Sequence, residues 1–294
     1  MAEGSPTVRR RELGALLRRL REEKNLTVKQ ATEHLLCSPS KISRIETGQR
    51  GATLRDVRDL CDLYGVTNAN ERDRLMTLAR EGKQQGWWQS YDLPYATPAY
   101  VGLEAEATRV KDYDSAVIPG LLQTSDYFRA LHDDPLPEPA EPTSEVIEQR
   151  IEARLIRQQL LHNQDGPSLQ FWAILDEAVL HRVIGGARVM RGQLMHVVKM
   201  MQLPNVTVQV IPFDAGPHPA LDSTFNILEF PEPVPDLVYI EGLAGFLFLE
   251  KAEDLQRYQR VFEHLSKKAL TADQSADLMS TMARRYESAL RSAS

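Results

Sequence analysis

Four groups of residues have types and spacing that could support chemistry. The segment Cys37-Ser38-Pro39-Ser40-Lys41-Ile42-Ser43-Arg44-Ile45-Glu46 sets hydroxyls and cations around two isoleucines three apart. One face of such a segment packs and the other is short, polar and basic. The carboxylates Asp176, Glu177, Glu241 and Glu250 stand at the ends of apolar runs, with His181 close by, and catalytic groups gather at such places. The stretch 214–223, DAGPHPALDS, holds Gly216, His218 and Asp222, with Pro217 and Pro219 around the histidine. A rigid loop of this kind is a candidate ligand or partner contact, His218 a candidate pH-sensitive contact, and the alternative is a plain connection. Last, Trp87 and Trp88 lie side by side between two regular regions.

Catalysis is not expected. No nucleophile elbow, phosphate-binding glycine loop or H-E-x-x-H pattern occurs. Asp176-Glu177 also reads as a helix start favoured by the dipole, with His181 on that helix. Cys37 and Cys61 are too few for a disulfide scaffold and have no Cys/His cluster at ligand spacing, so no metal and no cofactor are expected. They read as small core residues, with a redox switch as the alternative.

The elements that must position the first group are short helices. Leu13, Leu16, Leu17 and Leu20 recur at helical spacing over residues 9–25, which end at Asn25, a residue tolerant of the left-handed conformation. Thr27 with Gln30 forms a capping box for a second helix, whose inner face is Ala31, Leu35 and Leu36. Ser38 as cap and Pro39 at the first helical position open a third, which Gly48 ends. Thr53 with Asp56 opens a fourth, and residues 70–80 form a fifth. Five short helices with a tight turn between the second and third make a helix-turn-helix module.

Composition fits this division. The 294 residues are about twice a usual domain length of roughly 150, so two units are expected. Residues 1–85 carry 17 Lys+Arg against 12 Asp+Glu, a net +5, while residues 86–294 carry 18 against 29, a net −11. A basic head on an acidic body suits a polyanion-binding module joined to something else, unless the split is a fluctuation of solvated charge. No apolar run approaches the roughly 18 residues of a membrane span, and the N-terminus lacks a signal-peptide core. No membrane association is expected, and the cytoplasm is the expected compartment.

The run LTVKQATEHLLCSPSKISRIETGQR, followed by TLRDVRDLCDLYGV, resembles the lambda-repressor-like or Xre-type DNA-binding family over residues 9 to about 80. That resemblance implies double-stranded DNA as partner, with the third helix in the major groove and the second crossing the backbone. It implies that Ser38, Pro39, Ser40, Lys41 and Arg44 face the DNA, with Lys41 and Arg44 reading guanine O6 and N7. Ser40 and Ser43 would touch bases or phosphates, while Thr27, Lys29, Gln49 and Arg50 would lie near phosphates and set register. It also sets Arg21 beside Glu46 as a structural pair locking the third helix.

Beyond an aromatic connector over residues 81–99, the chain reads as an α+β domain over residues 100–294. In the connector, Trp87 and Trp88 pack against a neighbouring domain or bind a ligand. A helix is expected over 101–113, a surface loop at the Pro- and Glu-rich 133–143 and a long helix from 144. The runs 169–175, 206–213, 224–230, 237–241 and 246–250 read as strands of one mixed or antiparallel sheet, with helices at 177–184 and 190–202 and two terminal helices. Segments such as EAEATRVKDYDSAVIPGLLQTSDYFRAL and LPNVTVQVIPFDAGPHPALDSTFNILEF resemble the C-terminal domain of unknown function found behind Xre-type helices in actinobacterial regulators. That resemblance implies an antitoxin-like or developmental regulator, often encoded beside a small partner protein. The expected whole is a homodimeric transcriptional regulator on a palindromic operator, with a small-molecule ligand or small partner protein received by the body. The terminal helices, with Leu255, Val261, Phe262, Leu265, Leu278 and Met282, are the candidate dimer interface or, alternatively, core.

Overall fold

A computed structural model describes residues 5–94, 97–132, 143–162, 168–242 and 245–292. Its contacts divide the chain into two units, one of Met1–Ser90, Thr97–Ala107 and Phe230–Pro235, the other of Tyr91–Ala96, Thr108–Glu229 and Asp236–Ser294.

The first unit is helical: α1 (Pro6–Glu23), α2 (Val28–Leu35), α3 (Pro39–Glu46), α4 (Leu54–Leu63), α5 (Ala69–Glu81) and α6 (Thr97–Glu104). The starts of α2 and α4 follow from local chemistry. In both, the threonine hydroxyl accepts the backbone N–H three residues on, and that residue's side chain accepts the threonine N–H. Asn25, just past α1, adopts φ 54°. The apolar stripe of α1 meets Ile42 and Ile45 of α3, Val57 and Leu60 of α4, and Leu75 and Leu78 of α5 in one core. Burying Ile42 and Ile45 stabilises the seat of α3 by about 1.5–3 kcal/mol each. Trp88, in a single tight turn over Trp87–Ser90, is buried in this unit and meets Trp87 edge to face at 5.9 Å.

The second unit is α+β. Its strands are β1 (Arg109–Asp114), β2 (Gln170–Asp176), β3 (Val206–Ile211), β4 (Phe225–Glu229), β5 (Leu237–Gly242) and β6 (Gly245–Leu249), in the order β3-β2-β1-β4-β5-β6. The sheet is mixed: β1, β2 and β3 run parallel, and β4, β5 and β6 continue it antiparallel. Helices α7 (Ser125–Ala130), α8 (Ser144–Gln158), α9 (Ala178–His181), α10 (Gly186–Met200), α11 (Ala252–Lys268) and α12 (Ala272–Ser292) complete it. Phe262 and Leu265 of α11 pack on Tyr113, Ile174, Phe225 and Val238 of one sheet face. Val110, Phe171, Ala173 and Val208, which alternate with these, are buried too, so both faces are covered.

Two expectations need correction, and one resolves toward its stated alternative, the core. The helix expected over 101–113 stops at Glu104, and residues 109–114 form β1, which pairs with both β2 and β4. Its charges conceal it: Arg109 and Lys111 reach Glu229 of β4 at 3.0 and 2.6 Å, so the strand is polar without being loop-like. The helix expected at 177–184 is reduced to the single turn of α9. Of the terminal-helix residues offered as an interface, Phe262, Leu265 and Met282 are buried in this unit's interior. The expected 133–143 loop lies, except for Thr143, outside the described residues. Among the described residues no helix is long and apolar enough to cross a membrane.

Candidate nucleic-acid interface

The turn between α2 and α3 is built by two residues. Leu36 closes α2 in the left-handed region, φ 50° and ψ 48°, and the Cys37 N–H returns to the Thr32 carbonyl at 3.1 Å. Ser38 then stands extended before Pro39, whose missing N–H costs nothing at a helix start. The sequence predicts a side-chain cap from Ser38, and that bond is not made. Its Oγ lies 3.1 Å from Ser40 Oγ, while the Ser38 carbonyl accepts the Lys41 N–H at 3.0 Å. The backbone takes over the cap and both hydroxyls turn outward.

With Ile42 and Ile45 buried, Ser38, Pro39, Ser40, Ser43 and Arg44 are exposed along α3. Thr27 and Lys29 at the start of α2, and Gln49 and Arg50 after α3, are exposed as well. Lys41 is placed differently from these. Its Nζ donates to Asp56 Oδ1 of α4 at 2.6 Å, with side-chain exposures of 22% and 11%. Burial would push the Asp56 carboxyl up, but hydrogen bonds from Lys41 and Thr53 outweigh it and hold the group below its ordinary value. Arg44 is therefore the exposed cation of α3, and Lys41 ties α3 to α4.

The far end of α3 is tied to α1. Arg21 donates through Nε and Nη2 to the two Glu46 oxygens at 2.7 and 2.9 Å, and through Nη1 to the Leu26 carbonyl at 2.7 Å. The side chains are 10% and 7% exposed. The hydrogen bond to Glu46 pushes the Arg21 pKa up despite burial. A buried pair adds little net stability, but deleting one partner costs about 3–5 kcal/mol, so it specifies position more than it drives folding. Beside it, Gly14 lets α1 approach the α3 backbone: a Cβ there would meet the Ile45 carbonyl oxygen and lie 2.6 Å from that of Glu46. Gly48, at φ 70°, ends α3 against the Arg11 backbone.

Not all of the basic charge in this unit is available at the surface. Arg9 pairs with Glu12 at 3.0 Å and Glu81 at 3.3 Å, and Arg10, its pKa lowered by burial, donates to the Gly82 carbonyl at 3.2 Å. These arginines hold α1 to α5 and its end.

The candidate groups of the second unit do not converge. Asp176 accepts the Ala178 N–H at 2.8 Å, and Glu177 accepts the Phe213 N–H at 2.8 Å and meets His181 at 3.1 Å. Glu241 accepts the Tyr239 hydroxyl at 2.8 Å on β5. Between β2 and β5 lie β1 and β4, a separation of about 14 Å at the usual strand spacing. Glu250 follows β6, farther still. In the 214–223 loop Gly216 and Asp222 are exposed, whereas His218 turns inward. Its Nε2 lies 3.5 Å from the Tyr113 hydroxyl and 3.6 Å from Asp176, and its Nδ1 accepts the Ala220 N–H at 3.4 Å. The loop therefore does not bring its three candidate residues to one surface. Among the described residues no cluster of three metal-ligating side chains occurs.

Comparison with known proteins agrees with this architecture. A helix-turn-helix domain, a DNA-binding module, matches residues 12–75. No curated protein and no solved structure matches the chain. Residues 97–281 match a domain of unknown function (DUF5753). Since that match spans more than half of the 294 residues, the chain belongs to the DUF5753 family, carrying a helix-turn-helix domain at its N-terminus.

Proposed function

We propose that the protein is a sequence-specific transcriptional regulator of the Xre type that acts as a homodimer on a palindromic operator. The observation that carries this reading is α3, which follows a capped helix and tight turn, is held by Arg21–Glu46 and two isoleucines, and exposes Ser38, Ser40, Ser43 and Arg44. In this reading α3 lies in the major groove. Arg44 reads a base, the serines touch bases or phosphates, and Thr27, Lys29, Gln49 and Arg50 set register on the backbone. Lys41 acts through Asp56 as a positioning residue.

The second unit is non-catalytic here. It dimerises the chain and receives the signal, a small ligand or a small partner protein, as in an antitoxin-like actinobacterial regulator working in the cytoplasm. Dimerisation follows from recognition itself, because one helix offers few base contacts and two half-sites multiply affinity and specificity.

The test is selection of bound sequences from random duplex DNA by the full-length protein, repeated with Lys41→Ala and Arg44→Ala together. An enriched inverted repeat that disappears in the double variant supports the reading. A folded protein that enriches no sequence, alone or with a cell extract supplying the signal, overturns it.

A further inference from the structure

The two edges of the six-stranded sheet are finished differently. At β3, Leu270 donates its N–H to the Val210 carbonyl at 2.8 Å, the Val210 N–H reaches Ser275 Oγ at 2.9 Å, and Gln209 Nε2 donates to the Leu270 carbonyl at 2.8 Å. Leu270, between α11 and α12, and Ser275 in the first turn of α12 thus close that side. At the other side the last strand is β6, Gly-Phe-Leu-Phe-Leu, with no charge and no proline. Natural edge strands usually carry a lysine, proline or bulge that prevents pairing with another chain, and this one carries none of these residue signals. Leu247 is 59% exposed at its centre. On the opposite face Phe246 and Phe248 stand 5.2 Å apart and lie 6.2 and 5.2 Å from the Tyr239 ring.

We infer that β6 pairs antiparallel with β6 of a second copy of this chain, about a two-fold axis through Leu247. This gives the homodimer proposed above its interface and rests on that reading. A two-fold normal to the sheet keeps each face on its own side, so the axis must pass through a residue position. Placed at Phe246, it sets Gly245 opposite Leu247. Placed at Phe248, it sets Phe246 opposite Glu250. At Leu247 it sets leucine opposite leucine at the axis and each Phe246 opposite a Phe248, leaves glycine opposite leucine only at the strand ends, Gly245 and Leu249, and puts no charge opposite its own copy. Cross-strand aromatic and aliphatic pairs of this kind each stabilise the pairing modestly, and the ladder hydrogen bonds add to them. The occupant is thus a neutral apolar strand matching β6 itself. Phe262, Leu265, Met279 and Met282 of α11 and α12 are buried in the interior, while Leu255, Val261 and Leu278 are half-buried.

Full-length protein carrying Leu247→Cys tests this directly. Opposed residues lie about 4.5–5.5 Å apart at Cα, within disulfide range, so mild oxidation is expected to give a covalent dimer. Leu249→Cys is the control: its counterpart in the partner lies four residues along the strand, about 14 Å away, and neither it nor the parent chain should cross-link. Leu247→Lys, at an exposed position, should convert the dimer to monomer by light scattering while leaving the circular dichroism spectrum unchanged. A dimeric parent chain in which Leu247→Cys does not cross-link and Leu247→Lys stays dimeric overturns the β6 pairing and leaves the dimer reading standing. A parent chain monomeric both free and on its selected DNA overturns both. If Leu247→Lys fails to fold, the two cysteine variants still decide.

Discussion

Arg44 and Arg50 are both exposed cations, but one lies on α3 and the other beyond its end, its backbone N–H donating to the Arg44 carbonyl at 2.9 Å. Replacing each by alanine should therefore have different signatures. Arg44→Ala is expected to weaken specific binding by about 1–3 kcal/mol and relax preference at one base pair, whereas Arg50→Ala weakens all sequences alike and flattens the salt slope. Titrations on selected and random duplexes at several salt concentrations distinguish them, and equal loss on both DNAs for Arg44→Ala would contradict its role. Lys41 shows what residue type alone does not convey. A lysine on a polar helix face looks available for a base, yet its partner Asp56 is 15 positions away on α4, a distance no local pattern reports. The Asp56 carboxyl sits below its ordinary value in the fold, so the pair's contribution is present above the normal carboxylate range, near ~3.9, and is lost as pH falls through the lower folded value. Asp56→Asn should lower stability at neutral pH by about 1–2 kcal/mol, after allowing for partial exposure. The gap from the parent protein should close on acidification below that range, and urea midpoints across pH measure it. A gap independent of pH would show that the charge of Asp56 is not what matters.

At the level of elements, what was legible in the sequence is what is local. The capping boxes at Thr27 and Thr53, the left-handed Asn25 and the apolar β-rich runs of β2 to β6 each announce themselves within a few residues. Elements defined by distant partners do not: β1 hides its strand character under the charges of Arg109 and Lys111, which pair with Glu229 of β4, and α9 ends after a single turn where Arg182 becomes extended. The candidate site divides the same way. Its turn and helix starts could be read directly; the Arg21–Glu46 pair comes only from the resemblance and is present in the fold, while nothing local ties Gly14 to the end of α3. Gly14 looks like a weak residue in an otherwise good helix, worth about 1 kcal/mol to replace with alanine. In the fold its missing Cβ is where the α3 carbonyls come closest. Gly14→Ala is therefore expected to reverse the helix-propensity gain, destabilising the first unit by about 1–3 kcal/mol through overpacking and shifting α3. Guanidinium denaturation reads the first effect and operator affinity the second. A variant as stable as its parent and with unchanged affinity would show that α1 yields without moving α3.

For the whole molecule, charge and symmetry make the last prediction. The sequence up to residue 85 carries +5 and the remainder −11, so the net field of the protein opposes approach to DNA, and association depends on the local basic surface around α2 and α3. One such surface offers few exposed cations, Lys29, Arg44 and Arg50, and a single recognition helix makes too few contacts to stand out from the sequence-independent background. If two copies are joined through their second units, as proposed, they bind as one body, and the price of symmetry is sensitivity to half-site phase. Inserting about 5 base pairs between the half-sites rotates one by half a turn and should abolish tight binding, while about 10 restores the face and recovers part of it. Shift assays on such a series give an oscillating affinity for a dimer whose heads are held by their bodies. A smooth decline with spacing means that the two heads reach their sites independently, and no dependence at all means that a single copy is the binding unit.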